Sequence, residues 1–114
     1  METVDLYWNP LWKSTLAIMK YDGPSSVSLL SNFINGQVEE FKDDKYVIAH
    51  CNTGFNSPHK TNLVLYPGDK IARQSNGTYV KVSKTDINTK FSDYEFIHTF
   101  IVKDGKVINS CKVI

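Results

Sequence analysis

Residues 15–36 read TLAIMKYDGPSSVSLLSNFING, and within this one stretch the hydrophobic pattern changes period. Thr15-Leu16-Ala17-Ile18-Met19-Lys20-Tyr21 is almost continuously apolar, which predicts a strand buried over most of its surface. Asp22-Gly23-Pro24-Ser25 ends that strand with turn chemistry and offers Ser25 as a helix N-cap. Val27, Leu30, Phe33 and Ile34 then fall on one helical face, and Gly36 supplies the stop. The opposite face carries Ser28, Ser31, Asn32 and Asn35, a neutral surface suited to water rather than to a phosphate backbone. A buried strand feeding one amphipathic helix predicts an α+β fold.

Downstream, residues 46–51 and 62–66 read as strands joined by a polar loop, 52–61, longer than a routine connection. Pro67-Gly68-Asp69 and Ser75-Asn76-Gly77 are turns around a short strand at 70–73, which leads into a second at 78–82 as a hairpin. Residues 83–91 predict a short second helix, with Ile87 and Phe91 four apart on one face. Residues 95–103 and 106–114 form a terminal hairpin about Asp104-Gly105. Upstream, Leu6-Tyr7-Trp8-Asn9-Pro10-Leu11-Trp12 is aromatic and interrupted by proline, and reads as an N-terminal arm over residues 1–14. The expectation is a single domain, 1–114: a mainly antiparallel sheet of about seven strands on one amphipathic helix.

The composition fits that size. With 41% hydrophobic and 12% aromatic residues, 114 residues supply enough apolar material for one core. Thirteen basic residues against 12 acidic ones give a net charge of +1 and a pI near 7.7, so no long-range field draws the chain to nucleic acid or to an anionic membrane. Arg73 is the sole arginine, and base-edge and phosphate readers lean on the arginine fork, which makes nucleic acid an unlikely partner. The two cysteines, Cys51 and Cys111, have no C-x-x-C spacing and are too few for a disulfide framework, which leaves one bridge between them as an open alternative. No apolar run approaches the roughly 18 residues of a membrane span, and the acidic start of the chain does not resemble a secretory signal. The expected compartment is a bacterial cytoplasm, and the Asn- and Lys-rich, Arg-poor composition points to a low-GC genome or its phages.

Tyr66-Pro67-Gly68-Asp69-Lys70-Ile71, Asn76-Gly77-Thr78-Tyr79, Thr85-Asp86-Ile87 and Phe91 follow one another in an order that resembles small phage and prophage proteins. In those proteins a G-D-x-I strand runs into a G-x-[YF] hairpin and a short helix, and the opening strand ends in an aromatic-Asp-Gly turn like Tyr21-Asp22-Gly23. The resemblance spans about two thirds of the chain. It departs at Lys70 and Asn88, where the family has aromatic residues, and in the terminal hairpin, which lies past the family's usual end. It implies a phage origin and a fold, and carries over no catalytic residue.

Candidate chemistry is sparse. His50 and Cys51 are adjacent in a strand and point to opposite faces, so they cannot act together as base and nucleophile. A two-residue turn at Asp104-Gly105 sets His98 across from Cys111, a polar pair that Cys51 or His50 could extend into a thiol or zinc site. The neighbours Phe96, Phe100, Val102 and Val113 favour a core histidine with a hydrogen bond instead. Neither His50-Cys51-Asn52 nor His98-Thr99-Phe100 has the hydroxyl spacing of a two-histidine phosphodiesterase, and no phosphate-binding glycine loop, H-E-x-x-H or nucleophile elbow occurs. No catalytic residue, metal or cofactor is expected.

Aromatic surplus is the remaining signal. Tyr7, Trp8 and Trp12 in the arm, and Phe55, Asn56, His59 and Lys60 in the loop, are the expected partner-binding residues. The first reading is a non-enzymatic phage or prophage accessory protein that binds and inhibits a host protein, for example a defence component, in the manner of an anti-CRISPR. A nucleotide-sequestering module using the 52–61 loop and a small thiol enzyme or hydrolase using His98 with a cysteine are the alternatives.

Overall fold

The computed structural model describes residues 2–41, 46–54, 61–83, 89–103 and 106–112. The chain runs through β1 (Glu2–Asn9), β2 (Ser14–Lys20), a 3-10 turn (Pro24–Ser26), α1 (Val27–Ile34), β3 (Gln37–Phe41), β4 (Tyr46–Cys51) and β5 (Thr61–Leu65). It continues with β6 (Lys70–Gln74), β7 (Tyr79–Val82), β8 (Glu95–Lys103) and β9 (Lys106–Lys112). A six-stranded sheet of order β7-β6-β2-β1-β8-β9 and a three-stranded sheet of order β3-β4-β5 are antiparallel throughout. The architecture is α+β and mainly antiparallel, as the sequence predicts.

Two strands exceed the expected set. Residues 1–14 are no arm: β1 lies inside the larger sheet, with Val4 opposite Met19 of β2 on one side and Phe100 of β8 on the other. Val4 and Leu6 point to one face of β1 and Asp5 and Tyr7 to the other, a period of two that Pro10 does not break because it stands in the turn after the strand. The other addition, β3, is a charged edge strand in which Val38 packs against the core and Glu39 and Glu40 are exposed.

β2 is buried on both faces. Ala17 and Met19 join α1 and the small sheet in one core, with Leu30, Phe33, Val47, Ala49 and Leu65. Leu16 and Ile18 point the other way, into a second cluster with Ala72, Val82 and Phe91. Each of the larger of these side chains contributes on the order of 1.5–3 kcal/mol through removal from water, and each alanine methyl about 0.8 kcal/mol.

The helix forms where expected but begins and ends differently. Ser26, not Ser25, holds the N-cap position, and its hydroxyl accepts from the Asp22 N–H at 3.0 Å instead of capping the helix. Asn35, not Gly36, takes the left-handed conformation at the C-terminus (φ 49°), a region that asparagine tolerates. Gly36 answers a different constraint: a Cβ there would sit 2.5 Å from the His50 carbonyl oxygen, so only glycine lets β3 start this close to β4. The carbonyl of Phe33, near the helix end, accepts from the Tyr79 hydroxyl at 2.9 Å and more weakly from the Arg73 guanidinium at 3.5 Å, which ties α1 to β6 and β7.

Residues 84–88 of the expected second helix lie outside the described residues. Residues 89–93 are turns that carry Phe91 into the second core, where it meets Tyr94 edge-to-face at 5.8 Å.

One buried phenol, Tyr21, and one half-buried, Tyr7, make the fold sensitive to alkali. Burial, reinforced by the nearby Glu40 carboxylate, pushes the Tyr21 hydroxyl above its ordinary value of 10.0, and burial with Asp5 does the same to Tyr7. The unfolded chain therefore loses these protons before the folded chain does. The associated stability is complete below pH 10 and is lost as pH rises through the raised folded values. The midpoint of thermal unfolding should fall as pH passes about 10, and the Tyr7→Phe/Tyr21→Phe double variant should fall less steeply. Equal slopes for the two chains would contradict this assignment.

Candidate functional site

The β1–β2 connection is four residues, Pro10-Leu11-Trp12-Lys13, closed by the Asn9–Ser14 pair at the end of the ladder. Asn9 is 2% exposed, and its side-chain oxygen accepts from the backbone N–H of Leu11 at 3.0 Å and of Trp12 at 3.1 Å. This Asx clamp fixes the turn from within. Lys13 completes it in the left-handed conformation (φ 51°), the geometry by which a short hairpin loop returns the chain to its second strand. At the base, the Ser14 and Tyr94 hydroxyls lie 2.9 Å apart, joining the hairpin to the segment that covers the second core.

What this braced turn presents is apolar. Leu11 is 78% and Trp12 73% exposed, the two most exposed large hydrophobic side chains among the described residues. Lone exposed apolar residues are ordinary. Two adjacent ones on a turn held by a buried side chain, one of them a tryptophan, have the composition and rigidity of a protein-binding anchor.

Of the expected partner-binding residues, Trp12 is therefore displayed, whereas Tyr7 and Trp8 are half-buried in β1. Tyr7 packs edge-to-face on Phe96 at 5.5 Å, aligned by a register shift between Leu6 and Tyr7. Phe55, Asn56, His59 and Lys60 lie outside the described residues. Leu11 is not among the expected partner-binding residues, although Asn9-Pro10 between two apolar stretches is turn chemistry that places it at a tip.

The polar pair His98 and Cys111 is not formed as expected. An irregularity between Ile101 and Val102 shifts the β8–β9 register by one, so Lys112 stands opposite His98 and Thr99 opposite Cys111. A two-residue turn cannot carry its register past such a bulge. His98 has its ring 5.8 Å from Phe100, and its Nδ1 is buried with no hydrogen-bond partner among the described residues. The Cys51 side chain is buried and faces the core, while His50 points outward and pairs with Glu39 at 2.7 Å. The two adjacent side chains are on opposite faces of β4, as strand alternation requires.

A second exposed apolar area lies on the outer face of the small sheet, where the Tyr46 and Tyr66 rings stand 5.5 Å apart and Val64 is exposed. Among the described residues, no group of three or more His, Cys, Asp and Glu stands together, and no helix is long and apolar enough to cross a membrane.

No family model matches the chain, and no curated protein or solved structure matches it either.

Asn9→Ala removes both clamp hydrogen bonds and leaves two turn amides to water. It should cost about 1–2 kcal/mol, read as a lower urea midpoint at unchanged slope. An unchanged midpoint would show that the turn holds its shape without Asn9.

Proposed function

We propose that the chain is a non-enzymatic binding protein whose Leu11-Trp12 turn inserts into an apolar pocket of a protein partner. The exposure of these two side chains on a braced turn is the observation that carries the reading. A rigid anchor loses little conformational entropy on docking, so more of its burial appears as affinity. Near-neutral net charge adds no long-range steering, which favours a surface matched by shape over one matched by field.

The partner proposed is a protein of a low-GC bacterial host, inhibited by occupation of its surface, with a CRISPR effector as the first candidate; the resemblance to small phage proteins and the Asn- and Lys-rich composition support that reading. The nucleotide-sequestering alternative relies on Asn56, His59 and Lys60, and the thiol-enzyme alternative on a His98–Cys111 facing pair that the backbone register separates. No described geometry favours either over the binding reading.

The test is expression in a low-GC host with active CRISPR defence, scored by phage plating and by recovery of the tagged chain. The wild-type chain should restore plaques and retain one stoichiometric host protein. Leu11→Ala/Trp12→Ala should fold with an unchanged thermal midpoint, because both side chains are exposed, yet bind that protein at least about thirtyfold more weakly. Equal binding by the variant would remove the anchor from the account, and failure to restore plaques would remove the defence target.

A further inference from the structure

Between α1 and the larger sheet runs a groove of about 330 Å³. Val4 and Leu6 of β1 and Phe100 and Val102 of β8 supply its floor, and Leu29 and Phe33 of α1 its wall. The opening has a structural origin. α1 has only eight residues and packs over β2, β6 and β7, while the sheet continues past it through β1 and β8.

Among the described residues, two polar side chains reach the groove, Asn32 and Arg73, and no carboxylate lines it. Arg73 is the only arginine in the chain. Its guanidinium lies 5.0 Å from the centre of the Phe33 ring and spends one donor on the Phe33 carbonyl at 3.5 Å. A guanidinium has five N–H donors. No acidic side chain lies within ion-pair distance of Arg73 among the described residues; the described pairs involve Lys20, His50 and Lys81. An oriented cation, with no acidic partner among the described residues, thus stands at one side of an apolar trough, braced by an aromatic face and a helix-end carbonyl.

We propose that this groove binds a small amphipathic carboxylate, a medium-chain fatty acid in chemical class, with its carboxylate on Arg73 and its chain along the β1 and β8 floor. The planar fork of arginine matches a carboxylate in two-point geometry, and a single cation suits a monoanion. The volume lies at the small end of ligand pockets, about 300–1,000 Å³. It admits about a dozen heavy atoms at the volume water occupies in the liquid. The Asn32 amide, on the exposed side of α1, is placed among the lining residues as a second donor for the headgroup. This site is independent of the Leu11-Trp12 turn, which lies at the end of the β1–β2 hairpin and contributes nothing to the lining.

Decanoate is the probe, with neutral decanamide as its near-isostere, both below their aggregation limits. Calorimetry should give saturable one-to-one binding of decanoate, with decanamide about tenfold weaker because it lacks the charge-assisted contact. Backbone amide shifts should concentrate at Val4, Leu6, Phe33 and Phe100. Arg73→Gln should bring decanoate down to the affinity of decanamide, and Arg73→Lys should recover part of the difference. If Arg73→Gln does not fold, the wild-type preference for decanoate over decanamide decides alone. Absence of saturable binding, equal affinity for the two probes, or shifts confined to other surfaces would overturn the proposal. Leu11→Ala/Trp12→Ala should bind decanoate as the wild type does, so failure here and failure of the partner-binding reading are separately visible.

Discussion

Everything in this fold hangs on a strand that is apolar on both sides. β2 sends Ala17 and Met19 into the core under α1 and the small sheet, and Leu16 and Ile18 into the core closed by Phe91. A strand with one wet face needs one layer of cover, whereas β2 needs two. The chain supplies them from separate segments: α1 with β3–β5, inserted between β2 and β6, and the residues that follow β7. The ladder is extended past the end of β2 by hydrogen bonds from the Tyr21 N–H to the Asp69 carbonyl at 2.8 Å and from the Gly68 N–H to the Tyr21 carbonyl at 2.6 Å, so the inserted unit leaves and returns at one point. At the other end of β2, the Asn9 clamp holds the turn that displays Leu11 and Trp12. The strand is therefore both the centre of the core and the mount of the proposed anchor.

The extent to which this could be read from the sequence follows from how local each signal is. The period change across residues 15–36 announced β2 and α1 because burial and helical spacing are written in neighbouring residues. β1 was hidden because a proline and two tryptophans drew attention to the end of the segment, while its alternation was distributed over Val4, Asp5, Leu6 and Tyr7 and acquires meaning only between two partner strands. Among the described side chains of β3 only Val38 packs on the core, and the strand owes its form to pairing with β4, a tertiary effect that local propensity does not encode. The helix stop moved from Gly36 to Asn35 because the glycine was needed against the His50 carbonyl, a contact between residues fourteen apart in sequence.

The candidate site was legible in part for the same reason. Trp12 stood out by residue type alone, but exposure is a property of the fold, and it separates Trp12 from the half-buried Tyr7 and Trp8. Register was the least legible feature: one irregularity in β8–β9 exchanges the residue opposite Cys111 from His98 to Thr99, and no residue type in the hairpin signals it. The groove beside Arg73 was beyond reading altogether, because it arises from a helix too short to cover six strands.

The central claim is that β2 and its clamp hold Leu11 and Trp12 in one preorganised arrangement before any partner is met. Residue-resolved amide hydrogen exchange of the free chain tests this most directly, since the Leu11 and Trp12 N–H groups are bonded to the buried Asn9 side chain. The account predicts slow exchange at these two amides, within the range of the β2 amides, although their side chains are the most exposed of the large hydrophobics. Exchange at the rate of an unstructured peptide would contradict it, and would make the turn a flexible loop that acquires its shape only on contact.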